Sequence, residues 1–331
     1  MFMRSSYKSK LKLCYYSARS LYSVRNPYEY LKRKIEETCA DNPSLKPIAK
    51  KDVVIKENNF TWLVNVATNL KKKPVFKESD GWEGVPQKKD DPFMPPLEEN
   101  LIVEHNFTRK HTLILNKFPI ADKHALVITK DFESQLTPLD YEDIEACLIA
   151  MRAQDPGFIF FNCGKISGAS QPHKHMQVFP QDNFTYTGGE IPLTVAMEEC
   201  KKDTSKPFYF PDFDFKHEIR FFHKDIFTLI DEGNLEIATE YVLRIYQGKE
   251  LITFIEMTKS LGLEKDVPFN FNLTKDYLFM VPRSKERFRD IISLNSLCFI
   301  GTFFVSDEER LQLIQEAGPL EVLKEVTFPK K

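Results

Sequence analysis

No run of eighteen or more apolar residues occurs in this 331-residue chain, so a membrane-spanning helix is not expected. The six cysteines, Cys14, Cys39, Cys147, Cys163, Cys200 and Cys298, are scattered and contain no C-x-x-C pair. They read as free thiols in a reducing compartment rather than as a disulfide frame or a zinc site. Acidic residues are missing ahead of Glu29, whereas Arg4, Lys8, Lys10, Lys12, Arg19 and Arg25 all precede it. This basic, Ser-rich leader, residues 1–26, has the composition either of a mitochondrial transit peptide or of a basic tail, so the expected compartment is the cytoplasm or the mitochondrion. No clean apolar segment follows it, which argues against a secretory signal. Once the leader is set aside, the formal net charge of −2 becomes −8 for the remainder. A body that acidic has no general electrostatic reason to bind nucleic acid, and a polyphosphate would have to be held by a local patch.

What is present supports a folded α+β protein. With 42% apolar residues the chain can bury one large core or two small ones. Leu31, Ile35 and Cys39 fall at helical spacing in residues 28–40, and residues 60–66 are rich in β-formers. Residues 71–98 read as a long surface loop rich in Lys and Pro. Strands are expected at 111–116, 125–129, 158–162 and 173–179. A helix interrupts them, with Thr137 as its N-cap, Pro138 in its first turn and Pro156-Gly157 as its stop. This β-β-helix-β-β order favours an antiparallel sheet with a helix on one face. Residues 206–331 repeat the order of elements without repeating the sequence: aromatic-rich strands at 208–222, a helix at 235–246 and a strand pair at 269–273 and 277–281.

The chemistry concentrates in Ser167-Gly168-Ala169-Ser170-Gln171-Pro172-His173-Lys174-His175-Met176-Gln177. If this segment is extended from His173, then His173, His175 and Gln177 share one face, and Lys174 and Met176 share the other. Paired imidazoles at this spacing serve metal sites, hydrogen-bonded cores and catalysis alike. Gln177 is a weak metal ligand and a good donor to phosphate oxygens, and no metal site is assigned. The small-residue turn at 167–170 lets an anion approach backbone N–H groups. Cys163 nearby reads as a buried thiol. Asn116 and Lys117 at one strand end and Asn162 at another offer further polar groups, as do Asn270, Asn272 and Thr274.

These residues resemble the diadenosine tetraphosphate phosphorylases, or ATP adenylyltransferases, of the histidine-triad and galactose-1-phosphate uridylyltransferase superfamily. The carrying strings are His111-Thr-Leu-Ile-Leu-Asn116-Lys117-Phe118-Pro119, Phe161-Asn162-Cys-Gly164, Gly168-Ala-Ser-Gln171-Pro172-His173-Lys-His175-Met-Gln177 and Val281-Pro282-Arg283-Ser284. The likeness runs from about residue 27 to the end, and Asn272 and Cys298 depart from the family pattern. It implies a histidine-triad-like antiparallel sheet with flanking helices in two similar halves, a catalytic one over 27–205 and a C-terminal one over 206–331 that completes the nucleotide pocket. It implies His175 as nucleophile, Gln177 as the mark of the transferase branch and His173 as support. Asn162, Gly168, Ala169, Ser170 and Gln171 would hold the reacting phosphate, Asn116 and Lys117 the nucleotide, and Lys73 the distal phosphates. Asn270, Asn272, Thr274 and Met280 would complete the pocket. The implied reaction is phosphorolysis of diadenosine tetraphosphate (Ap4A) to ADP and ATP through a covalent AMP-histidine, with a divalent cation such as Mg2+ carried by the substrate. A dinucleoside polyphosphate hydrolase, a hexose-1-phosphate uridylyltransferase and an inactive nucleotide-binding sensor are the competing readings.

Overall fold

A computed structural model describes residues 26–67, 91–200, 202–247 and 267–330; the leader up to residue 25 and Lys73 lie outside the described residues. One eight-stranded sheet runs in the order β3-β4-β5-β7-β6-β9-β10-β8. Its strands are β3 (Ile102–Glu104), β4 (His111–Leu115), β5 (Ala125–Thr129), β6 (Gly157–Asn162), β7 (His175–Pro180), β8 (Glu218–Phe221), β9 (Phe269–Leu273) and β10 (Tyr277–Pro282). Every neighbouring pair is antiparallel, and β6 pairs directly with β9, setting Asn162 opposite Asn270. Strands from before and after residue 206 thus share one continuous sheet.

Side-chain alternation divides the sheet into two faces. Met176, Val178, Ile159, Phe161, Phe271, Leu273 and Met280 point into a core shared with α1 (Pro27–Cys39), α2 (Tyr141–Ala153), α3 (Ile226–Asp231) and α4 (Leu235–Gln247). On the opposite face Phe158, Phe160, Phe179 and Phe279 enter an aromatic core, while His175 and Gln177 stand over a cleft. A second sheet covers the aromatic core. It is formed by β1 (Lys51–Glu57), β2 (Phe60–Val66) and β13 (Thr302–Val305), whose Phe303 packs against Trp62. A two-stranded hairpin, β11 (Arg287–Phe288) and β12 (Ile292–Ser293), and two terminal helices, α5 (Glu308–Ala317) and α6 (Pro319–Glu325), complete the C-terminal side.

Three expectations are corrected. Helix α2 starts at Tyr141 rather than near Thr137, because Asp140 and Asp143 form a capping box in which each carboxylate accepts the other's backbone N–H. The 208–222 stretch contains one short strand, β8, and an isolated bridge from Phe208 to Ile219. Its phenylalanines pack as a ring cluster instead, with Phe213 against Phe210, Phe215 and Phe279. The strand expected at 173–179 starts at His175, two residues later.

The side of the motif facing α2 is held by buried charge. Lys174 and Asp143 are both fully buried and hydrogen-bonded to each other, with His111 Nε2 2.8 Å and Lys110 Nζ 2.9 Å from Asp143 Oδ1. Burial by itself would push the Asp143 carboxyl up, but the His111 hydrogen bond and the charges of Lys174 and His111 outweigh it and hold the carboxyl well below the usual range. Glu133, Asp140 and Asp143 form an acidic group, and Lys110 reaches all three carboxylates. Removing Asp143 leaves Lys174 buried without its main partner, so Asp143→Ala should lose about 3–5 kcal/mol of stability, measurable as a lower denaturant midpoint. A depressed carboxyl stabilises the fold above its unfolded value and stops doing so as pH falls. The stability gap between native protein and Asp143→Asn should therefore be full near neutrality and shrink below ~3.9. An unchanged gap down to acid pH would disprove this assignment.

Candidate active site

The cleft over His175 and Gln177 has a volume of ≈ 530 Å³. Phe93, Pro96, Leu97, Ile114 and Leu126 form an apolar wall, and Lys46, Asn116, Lys117, Ser170 and Gln171 supply the polar side. An apolar slot with a few convergent polar groups suits a flat, partly polar ligand such as a nucleobase with its phosphates.

His175 sits at the first position of β7 and is 3% exposed. Its Nδ1 lies 2.8 Å from the backbone oxygen of His173. Because a carbonyl only accepts, Nδ1 must carry the proton, which leaves the lone pair of the neutral ring on Nε2. The Phe93 ring packs 5.1 Å from the His175 ring, centroid to centroid. His173 does not share this cleft. It is fully buried, with Nδ1 2.8 Å from Asp91 Oδ2 and Nε2 2.9 Å from both the oxygen and the hydroxyl of Thr129. It lies ahead of the strand, joined to Ser134 by an isolated bridge, so strict alternation does not apply to it. The end of the long loop is consequently not a solvated surface: Asp91 and Phe93 are both buried against the two histidines.

Gln177 accepts at Oε1 from His124 Nε2, 3.0 Å away. Phe118 N–H can only donate, and it donates to Asn116 Oδ1 at 3.0 Å, so Asn116 turns its amino group toward His124, 3.4 Å from each ring nitrogen. That amino group is equidistant from the two nitrogens and does not choose the tautomer; with Nε2 donating to Gln177 Oε1, Nδ1 is left as the acceptor. His124 was not singled out in the sequence. Its signal was its place two residues ahead of Leu126, which pairs with Gln177 across β5 and β7. Lys117 reaches the rim, where its Nζ lies 2.6 Å from Glu98 Oε2; hydrogen bonds from Lys117 and then Ser44 hold Glu98 below the usual carboxylate range.

The turn differs from a ring of N–H groups open to an anion. The N–H groups of Ser167 and Ala169 donate to the oxygen of Gly164, and that of Gly168 to the oxygen of Lys165. Ser170 and Gln171 line the cleft, whereas buried Ala169 does not. Gly168 has φ +84, and a Cβ there would lie 2.2 Å from Leu294 O, so glycine is demanded by the approach of the C-terminal segment.

Asn162 and Asn270 also act beneath the turn rather than in the cleft. Asn270 Nδ2 donates to Asn162 Oδ1 and to Ser167 O, both at 2.8 Å, and Ser296 N–H donates to Asn162 Oδ1 at 2.9 Å. Arg283 anchors this strut, donating to Asn270 Oδ1 at 2.7 Å and to the oxygens of Leu294, Val326, Lys285 and Glu286. Burial pushes its guanidinium down to about 10, leaving it charged at neutral pH. The remaining pocket expectations are corrected for distinct reasons. Met280 falls on the helix-packed face. Thr274 closes the β9–β10 turn, accepting from the N–H groups of Asp276 and Tyr277, at the far end of β9 from Asn270. Asn272 is 1% exposed between the cross-strand neighbours Phe160 and Phe279, two strands from β7, with no hydrogen-bond partner on its amide among the described residues.

Comparison with known proteins shows the family and the fold. Family models match end to end: the Ap4A phosphorylase N-terminal domain over residues 25–199 and the ATP adenylyltransferase C-terminal domain over residues 211–329. Diadenosine 5',5'''-P1,P4-tetraphosphate phosphorylase 2 of Saccharomyces cerevisiae is 28% identical over 315 residues, 87% of this chain and 91% of that protein. Protein APA1 of the same yeast is 26% identical over 315 residues, 88% of this chain and 92% of that protein. The crystal structure of yeast Ap4A phosphorylase Apa2 in complex with AMP superposes with a TM-score of 0.68 at 23% identity, covering 92% of this chain and 98% of that one, and shares the fold. The two domain matches, spanning nearly all the described residues, place this chain in the Ap4A phosphorylase (ATP adenylyltransferase) family.

Proposed function

We propose that this enzyme phosphorolyses diadenosine tetraphosphate to ADP and ATP through an AMP–His175 intermediate. The observation that carries this reading is the contact of His175 Nδ1 with the backbone oxygen of His173, which puts a ring proton on Nδ1 and leaves Nε2 as the nitrogen for attack in a cleft that Gln177 also lines. Nε2 attacks the α-phosphorus, the bond from that phosphorus to the bridging oxygen breaks, and ATP leaves. Inorganic phosphate then attacks the same phosphorus, the P–N bond breaks, and ADP departs. Both displacements develop charge on the phosphoryl oxygens, so positioned donors matter more than further covalent help. The Gln177 amino group and Ser170 are the donors assigned here, with Gln171 beside them. The apolar wall takes an adenine ring, and Asn116 and Lys46 stand at its polar edge. By family resemblance alone, Lys73 meets the distal phosphates. A divalent cation travels with the polyphosphate.

His175→Ala should abolish turnover, and wild-type protein given Ap4A without phosphate should acquire one AMP on His175, seen by mass spectrometry. Adding phosphate should discharge the label as ADP. Turnover that proceeds equally well without phosphate would make the enzyme a hydrolase. Chelation with EDTA should lower turnover at least about tenfold, with Mg2+ restoring it and no metal released from the protein. Since His124 sets the direction of the Gln177 amide, His124→Phe should lower kcat by about 10- to 100-fold with KM little changed, and His124→Gln, which keeps a donor, should recover much of the loss. Equal activity in the Phe variant would disprove the relay.

A further inference from the structure

We infer that Gln135 is a positioning residue for the nucleophile: its side-chain amide takes the place of the last rung of sheet at His175, and so sets where the imidazole stands. The β6–β7 ladder ends at Phe160 opposite Gln177. Two residues further in that register, Asn162 falls opposite His175, where neighbouring antiparallel strands would exchange N–H and C=O groups directly. At this point the carboxamide of Gln135 stands between them. Its Oε1 accepts from His175 N–H at 2.8 Å, while Nε2 donates to Asn162 O at 2.9 Å and to His175 O at 3.2 Å. One amide thus uses its oxygen and both its protons on three backbone groups, two of them belonging to the nucleophile.

Gln135 is itself fixed. It is fully buried, its N–H donates to Pro172 O at 2.7 Å, and the adjoining bond from Lys174 N–H to Glu133 O is 2.8 Å. The segment carrying it is therefore sewn to the residues on either side of His173. Interposing a side chain fills the gap beyond the last paired rung of β6 and β7, yet leaves none of the three backbone groups unpaired, a condition that burial imposes. Asn162 connects the same amide to the strut under the phosphate turn, through its Oδ1 contacts with Asn270 and Ser296. Nucleophile and turn are consequently placed relative to each other through one buried carboxamide.

The inference rests on the transferase reading only for its effect on rate. Gln135→Met keeps the length and removes all three bonds. Gln135→Glu keeps the acceptor for His175 N–H and loses the donor, and reports should Gln135→Met not fold. Both should lower kcat and the single-turnover rate of AMP–His175 formation by about 10- to 100-fold, the scale of a 1 Å misplacement, with KM for Ap4A within about twofold. Leu148→Ala, which destabilises the helix-packed core, should keep kcat at a similar loss of stability. Amide hydrogen exchange, which needs no activity, should be about tenfold or more faster at His175 in Gln135→Met than in the wild type. Wild-type kcat in both Gln135 variants, or unchanged exchange at His175, would overturn the proposal. Absence of the AMP label on wild-type protein would overturn the transferase reading instead, and the exchange comparison would still decide whether Gln135 holds the strand end.

Discussion

A backbone polar group buried in the middle of a sheet must be paired, and the strand bearing the proposed nucleophile is a central one. β7 lies between β5 and β6, so along most of its length both edges are satisfied by neighbouring strands. A reactive side chain needs the opposite: a place where the sheet opens and a ligand can enter. The two demands meet at His175, the first residue of β7, where β5 still pairs through Ile128 and the β6 side is completed by a glutamine amide. Catalytic geometry here is a solution to a pairing problem. His175 stands where a backbone rung has been exchanged for a side chain.

The same strand carries its chemistry and its anchorage on alternate residues. His175 and Gln177 face the cleft, while Met176 and Val178 enter the helix-packed core. Lys174, next in sequence to the nucleophile, is held on the side of α2 through Asp143. Its charge is thereby matched away from the cleft. The C-terminal part of the chain contributes chiefly support: Arg283 and Asn270 brace the turn from below, and Leu294 presses so close to Gly168 that no side chain fits there. Arg283 is surrounded by neutral oxygens, so its charge is solvated by carbonyl and amide dipoles rather than by a carboxylate.

Strand content was legible where β-formers and aromatics predominate: residues 60–66, 125–129 and 269–273 begin and end as expected. The string from Gly168 to Gln177 was legible as a site because small residues, amides and imidazoles seldom coincide by chance. What sequence could not disclose is which face a polar residue takes and what it meets there. Asn162, Asn270 and Asn272 look alike in sequence; two are struts under the turn and one is enclosed among phenylalanines. Gln135 and His124 were passed over because each acts through a partner 40 or more residues away. His173 was placed in the cleft by alternation, and the late start of β7 removed the premise. Local periodicity informs on elements; partners fixed by chain return do not appear in it.

Gln177 illustrates why one amide can be preferable to another imidazole at such a position. Behind it stands His124, which must accept from Asn116 and can offer a single proton forward. A neutral imidazole at 177 could take that proton on one nitrogen and donate from the other, but on gaining a second proton it would have no lone pair left for His124. A carboxamide carries an acceptor and a donor on one planar group at every pH of interest. It keeps the same charge throughout, so a proton released elsewhere in the reaction cannot be captured there. Holding water in place for hydrolysis calls for a group that can take up a proton; the proposed transfer of AMP from His175 to phosphate does not, and a proton-inert donor suits that step.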